Sequence, residues 1–209
     1  MSNRNFATVC LMLNAAIIAN GSELQTTYYA FMFGDEKAGY QVVTQMAGDN
    51  PATEIVTKFK MGGQLMRSSH RLTYSKSGQL ETFRADEANT FSMADYLQHA
   101  PAYPTAGYQS IIDHLALVTN ASAEFTAIMD GTGEVIGKKR FVVEGQIQWT
   151  NPISQSSATL FKVVEYEGNT PERNFLVDQS RLIHMANWQG PQSVLVGSLE
   201  QALEGLDFK

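Results

Sequence analysis

From residue 54 to 61 oily and polar side chains take turns. Ile55, Thr57, Phe59 and Met61 share one face, while Glu54, Lys58 and Lys60 share the other with Val56. A period of two marks a half-buried antiparallel strand. Gly62-Gly63 interrupts it, and a second run follows from Gln64 to Tyr74, with Met66, Leu72 and Tyr74 on one face beside His70. Lys76-Ser77-Gly78 turns the chain and residues 79 to 85 run back, so 53–87 reads as a three-stranded meander. The stretch before it, "FMFGDEKAGYQVV", predicts a hairpin with strands near 27–33 and 40–46.

The rhythm fails between about 88 and 118, where Pro101, Pro104 and Gly107 occur. Ile111, Ile112, Leu115 and Val118 recur at helical spacing, which predicts a short amphipathic helix over 109–118, with a further helical turn at 93–99. Alternation then resumes at 125–129 and 134–144, flanking the hairpin signal Asp130-Gly131-Thr132-Gly133. It continues at 146–149, 158–166, 173–177, 182–188 and 193–196 before a closing helical "SLEQALEGL". Chains of many short antiparallel strands fold as sandwiches, barrels or curved open sheets. The expectation is a mainly β fold over residues 22–209: a single strongly curved antiparallel sheet of about ten strands, a β-clam or partly open barrel. Its helical insertion near 93–118 would cover the concave face.

Charge and composition narrow the partners. The 209-residue chain carries a net charge of −6 and has a pI near 5.2, against the concentrated basic face that nucleic-acid binding requires. Its longest basic run, Lys138-Lys139-Arg140, lies in a predicted strand, where alternation divides it between two faces. The first 21 residues read as a secretory signal peptide: Arg4, an apolar run from Phe6 to Ala19, then Ala19-Asn20-Gly21. That run is short for a membrane span, so the chain is not expected to be an integral membrane protein once the leader is gone. The lone Cys10 falls inside the leader and follows a poor lipobox. The mature chain would be periplasmic or secreted, with no disulfide, thiolate chemistry or Cys-ligated zinc.

Several turns carry a resemblance. The opening strand–Gly34-Asp-Glu-x-x-Gly39–strand hairpin, the Gly78 turn in "SKSGQLETF" and the Asp178-led turn in "FLVDQSRLIHMANW" are similar to those of uncharacterised exported bacterial β-clam domains. Their architecture resembles that of lipoprotein carriers. The resemblance implies the curved sheet and carries no catalytic or binding residue with it.

Candidate chemistry is sparse. The chain has neither a Gly-x-Ser-x-Gly elbow nor a His-Glu-x-x-His motif. "DGTGEVIGKK" has the wrong spacing for a phosphate loop and lacks the Ser or Thr after its lysine. No metal, cofactor or catalytic residue is assigned. The four histidines are 70, 99, 114 and 184, and only Asp95 with His99 and Asp113 with His114 lie near a carboxylate in the insert. Aromatic crowding is the stronger signal. Tyr28, Phe31, Phe33, Tyr96, Tyr103, Tyr108 and Leu115 form a candidate ligand pocket between the first strand and the insert. The expected function is a non-enzymatic envelope domain that binds a lipid or other apolar or amphipathic small molecule, or an envelope protein. The alternatives are a hydrolase using a His/Asp pair of the insert and an assembly protein pairing through its sheet edges.

Overall fold

The computed structural model describes residues 24–208. The expected leader, with Cys10, lies outside the described residues. Five strands build the first half: β1 (Leu24–Phe33), β2 (Glu36–Met46), β3 (Ala52–Met61), β4 (Gln64–Tyr74) and β5 (Leu80–Ala85). The insert holds a two-residue strand β6 (Phe91–Ser92), a 3-10 helix (Met93–His99), the short β7 (Ala102–Pro104), a single 3-10 turn (Thr105–Gly107) and α1 (Tyr108–His114). The second half is β8 (Ser122–Ile128), β9 (Val135–Thr150), β10 (Ser157–Glu167), β11 (Thr170–Val177), β12 (Ile183–Asn187) and β13 (Pro191–Val196). α2 (Leu199–Leu203) closes the chain.

All thirteen strands belong to one sheet, in the order β6-β5-β4-β3-β2-β1-β13-β12-β11-β10-β9-β8-β7. Each half is a meander of neighbouring antiparallel strands, and the two halves join where β1 pairs with β13. Only β7 runs parallel to its neighbour β8. The mainly β, curved, unclosed sheet agrees with the expectation, and the details differ in three places. The helix expected over 109–118 ends at His114, and Val118, expected on its apolar face, is exposed. Runs expected to be separate, 134–144 and 146–149, fuse into β9, because the register shift opposite Lys162 and Val163 is absorbed as a bulge rather than a break. β6 and β7 were hidden within the insert, too short and proline-rich to show alternation.

β1 is buried on both sides, as its unbroken apolar run implies. Ala30 and Met32 pack outward with Val194, Val196 and Ala202 beneath α2. Lys37 ties that helix down by donating to the carbonyls of Gln201 and Glu204 at 2.8 and 2.9 Å. On the inner side α1 fills the hollow of the second half. Tyr108, Ile111, Ile112 and Leu115 pack against Phe125, Phe141, Phe175 and Val177, and Ile112 is fully buried. Burying one such aliphatic side chain stabilises the fold by about 1.5–3 kcal/mol.

β6 and β7 are the two ends of the ladder, yet only the 3-10 helix and a short link separate them in sequence. The sheet therefore curls round until its edges approach, and side chains rather than a hydrogen-bond ladder join them. Ala102 and Ile128 share a cluster with Ile55, Leu72 and Phe83 from the first half. Phe91 stacks on Phe83 at 5.1 Å, and the Tyr96 hydroxyl donates to the Gly133 carbonyl at 2.8 Å. Gly133 sits in the left-handed region at φ +74°, and a Cβ there would lie 2.5 Å from the Phe91 ring. Replacing Gly133 with Ala is expected to cost about 2 kcal/mol, through backbone strain and overlap at the seam. Gly131→Ala, with open space at its Cβ, should stay within about 0.5 kcal/mol of wild type in the same urea titration.

Candidate functional site: a cleft beside the helical plug

Because α1 fills only part of the hollow, a cleft of ≈ 310 Å³ remains between the first half of the sheet and the insert. Alternation points Ile55, Thr57 and Phe59 of β3 and Ser68 and His70 of β4 into it from one side. Phe31 of β1 and Gln41 of β2 form its floor, and Tyr108, Arg173, Trp188 and Pro191 close the far wall. The aromatic lining depends on a missing side chain. Phe31, Gly39 and Phe59 lie in line across three strands, so the two rings should be two strand spacings apart. With nothing on Gly39 between them, their centroids come to 4.8 Å. A Cβ at Gly39 would sit 2.1 Å from the Lys58 carbonyl oxygen.

The polar end is organised by Asp130, in the turn between β8 and β9. Thr105 Oγ1 donates to Oδ2 at 2.6 Å, the Ala106 amide donates to Oδ1 at 3.1 Å, and His70 Nε2 lies 3.4 Å from Oδ2. One carboxylate thus ties together the first half, the insert and the second half. Burial pushes its pKa up, but the bonds from His70, Thr105 and the Ala106 amide outweigh that and hold it below the ordinary carboxylate value.

Arg173 reinforces the same junction. Its Nη1 donates to the Thr105 carbonyl at 2.9 Å and its Nε pairs with Glu165. The guanidinium lies 5.3 Å from the Trp188 ring centre and 5.9 Å from that of Tyr108, within cation–π range. Glu165 is fully buried, and its second oxygen faces Lys139 Nζ at 3.7 Å, so the buried carboxylate has two cations around it. Burial pushes the Tyr108 phenol up to about 12, with Arg173 opposing, and Tyr108 stays protonated at neutral pH.

The cleft brings together two of the seven residues expected to line a pocket, Phe31 and Tyr108. Phe33 packs edge-on to Phe31 just beside it. Tyr28 faces the outer cluster under α2, Tyr96 belongs to the seam, Tyr103 packs on Phe125, and Leu115 is buried within the plug. The insert's His/Asp neighbours do not pair. His99 meets Gln98, Asp113 accepts from Gln109 at 2.7 Å, and His114 Nδ1 bonds the Ser110 carbonyl. The fold instead pairs His70 with Asp130, and His184 with Asp178 at 3.1 Å. Asp178 also accepts from Ser180 and Leu182, which makes the latter pair a turn cap. The only local sign of the cleft pair was His70 on the strand face it shares with Met66, Leu72 and Tyr74. Its partner is sixty positions away and could not be read from spacing.

Two other hollows help locate the site. A void of ≈ 30 Å³ between α1 and the sheet, where the buried Ser193 hydroxyl lacks a protein partner, has room for a water and no more than that. A recess of ≈ 520 Å³ at the opposite end borders Leu24, the first described residue, and has Asp113 as its one charged side chain. It is larger but lacks the convergent aromatic and ionic groups of the cleft. Among the described residues, no group of three or more His, Cys, Asp or Glu side chains is placed to hold a metal, and no helix is long and apolar enough to cross a membrane. Comparison with known protein families, curated proteins and solved structures finds no match to the chain.

A carboxylate held below its ordinary pKa stabilises the fold above the unfolded value, and that stability is lost as pH falls through the folded one. Asp130 should therefore make the wild-type urea midpoint drop between about pH 4 and the acid limit of folding. Asp130→Asn is expected to be less stable at neutral pH and to show a shallower acid drop, as measured by urea titrations at stepped pH.

Proposed function

We propose that the protein is a non-enzymatic binding domain that takes a small amphipathic molecule into the cleft between β3–β4 and the insert. One observation carries the reading: aromatic walls from Phe31, Phe59, Tyr108 and Trp188 converge with the polar groups of His70, Asp130 and Arg173 on one cleft. Binding sites for small molecules combine an apolar lining with a few placed polar groups, and they begin at about 300 Å³. At ≈ 310 Å³ the cleft suits a single ring system or one short acyl chain rather than a two-chain lipid. The apolar body would lie on the Phe31–Phe59 stack and the polar head would face His70 and Arg173. Export to the cell envelope, expected from the first 21 residues, is consistent with such a carrier or sensor.

The test is titration with an anionic aromatic probe such as anilinonaphthalene sulfonate, followed by displacement with medium-chain fatty acids. Ser68→Phe places a ring in the cleft without opening a void in the core. It should weaken probe binding by more than about tenfold while leaving the denaturation midpoint near wild type. Equal binding by wild type and variant would remove the cleft from the proposal.

The His70–Asp130 pair favours a second reading, a hydrolase in which His70 is the base and Ser68, two residues earlier on the same strand face, is the nucleophile. It is the weaker one, since the hydrogen bonds of the described residues give the His70 ring Asp130 as a partner and no hydroxyl. An esterase activity abolished alike by Ser68→Ala and His70→Ala would establish it. The assembly reading gains little, because the terminal strands β6 and β7 offer two and three residues for pairing.

A further inference from the structure

We infer that the tip of the β3–β4 hairpin is a docking finger for an anionic lipid surface. Three large apolar side chains crowd this one turn: Met61 is 56% exposed, Leu65 52% and Met66 41%. Apolar groups gathered at a protruding tip cost solvation unless something covers them. Gly62 and Gly63 form the turn itself, both with positive φ and with open space around them, so the tip is slim and free of packing neighbours there.

The charge around the tip says what covers it. Lys58 and Lys60 on β3, with Arg67 on β4, flank the apolar residues, and Lys58 lies directly opposite Arg67 in the ladder. Among the described residues none of the three forms an ion pair, whereas Arg71, four residues further along β4, is matched by Glu54. In a chain with a net charge of −6, three unmatched cations beside three exposed apolar side chains run against the overall sign. The adjoining β1–β2 hairpin carries Asp35 in its turn and Glu36 at the start of β2, and neither pairs with the three cations among the described residues; Asp86 is engaged by Ser69. Apolar side chains entering the acyl boundary, with Lys and Arg at headgroup level, are the chemistry of interfacial attachment.

The tip is continuous with the cleft. Met61 shares a strand face with Phe59, and Met66 stands directly opposite Phe59. An apolar path thus runs from the membrane-facing end to the Phe31–Phe59 stack. The docking surface goes beyond the ligand-binding reading and uses different residues, so either can fail alone.

The experiment is sedimentation of the mature chain with vesicles of phosphatidylcholine mixed with phosphatidylglycerol, and with vesicles of phosphatidylcholine alone. The wild-type chain should partition to the anionic vesicles at low salt and release as salt is raised, with little binding to the neutral ones. Lys58→Gln, Lys60→Gln and Arg67→Gln should each weaken partitioning about fivefold. The combined Met61→Ser, Leu65→Ser, Met66→Ser variant should lose it, with its denaturation midpoint unchanged. Ser68→Phe, which blocks the cleft, should partition as wild type. Equal sedimentation with both vesicle types, or tip variants that bind like wild type, overturns the inference. So does a wild-type chain that ignores vesicles and self-associates through the tip, with the triple Ser variant monomeric.

Discussion

The pairing of β1 with β13 is the constraint on which the molecule depends. Six residues of each strand meet, from Tyr28 opposite Val196 to Phe33 opposite Pro191. Every other antiparallel pair in the sheet joins strands that are neighbours in sequence and could form as a local hairpin. This one joins the two ends of the described chain, and a contact of such sequence separation requires ordering a long loop first. Without it there would be two meanders, each with an unpaired edge. With it, Phe31 and Pro191 come to the same cleft, and α2 can lie over the outer face of both strands.

Once the halves are joined, the hollow of the sheet has to be filled. α1 does this for the second half with four buried side chains, aided by the Phe125–Phe141–Phe175 cluster. The first half receives less. Its inner face keeps a row of small polar groups, Gln41, Thr57 and Ser68, among the aromatic rings. A plug shorter than the hollow leaves a cleft at its margin, and that margin is where the three segments must be held together. Asp130, Thr105 and Arg173 form that tie, and they do so with charges partly out of water, where hydrogen bonds and ion pairs are stronger than at the surface. Structural tie and polar end of the cleft are the same groups, so a molecule bound there would touch the junction of all three segments.

The same curvature explains the seam. A ladder of thirteen strands has to twist, and enough twist brings β6 and β7 near one another. Closure by a continuous ladder would require register between them. Aromatic packing around Gly133 avoids that requirement, because stacked rings tolerate more geometries than paired backbone groups.

Alternation along residues 54–61 and its echoes through 196 determined that the chain is a curved antiparallel sheet with a helical interruption, since side-chain direction in a strand follows directly from residue order. The helical spacing of Ile111, Ile112, Leu115 and Val118 identified the dry face of α1 through Ile111 and Ile112, but the helix ends at His114: Leu115 is buried just past it and Val118 is exposed. Two short strands stayed invisible, because β6 and β7 owe their conformation to neighbours across the sheet rather than to their own residues. The cleft was half legible: Phe31 and Tyr108 stood out as aromatic residues, whereas Tyr28, on the other face of the same strand, was indistinguishable from them by composition. His70 with Asp130, and Arg173 with Thr105, were decided only by the tertiary structure. Their partners come from three separate segments, and electrostatic attraction depends on distance in space, which local sequence does not encode.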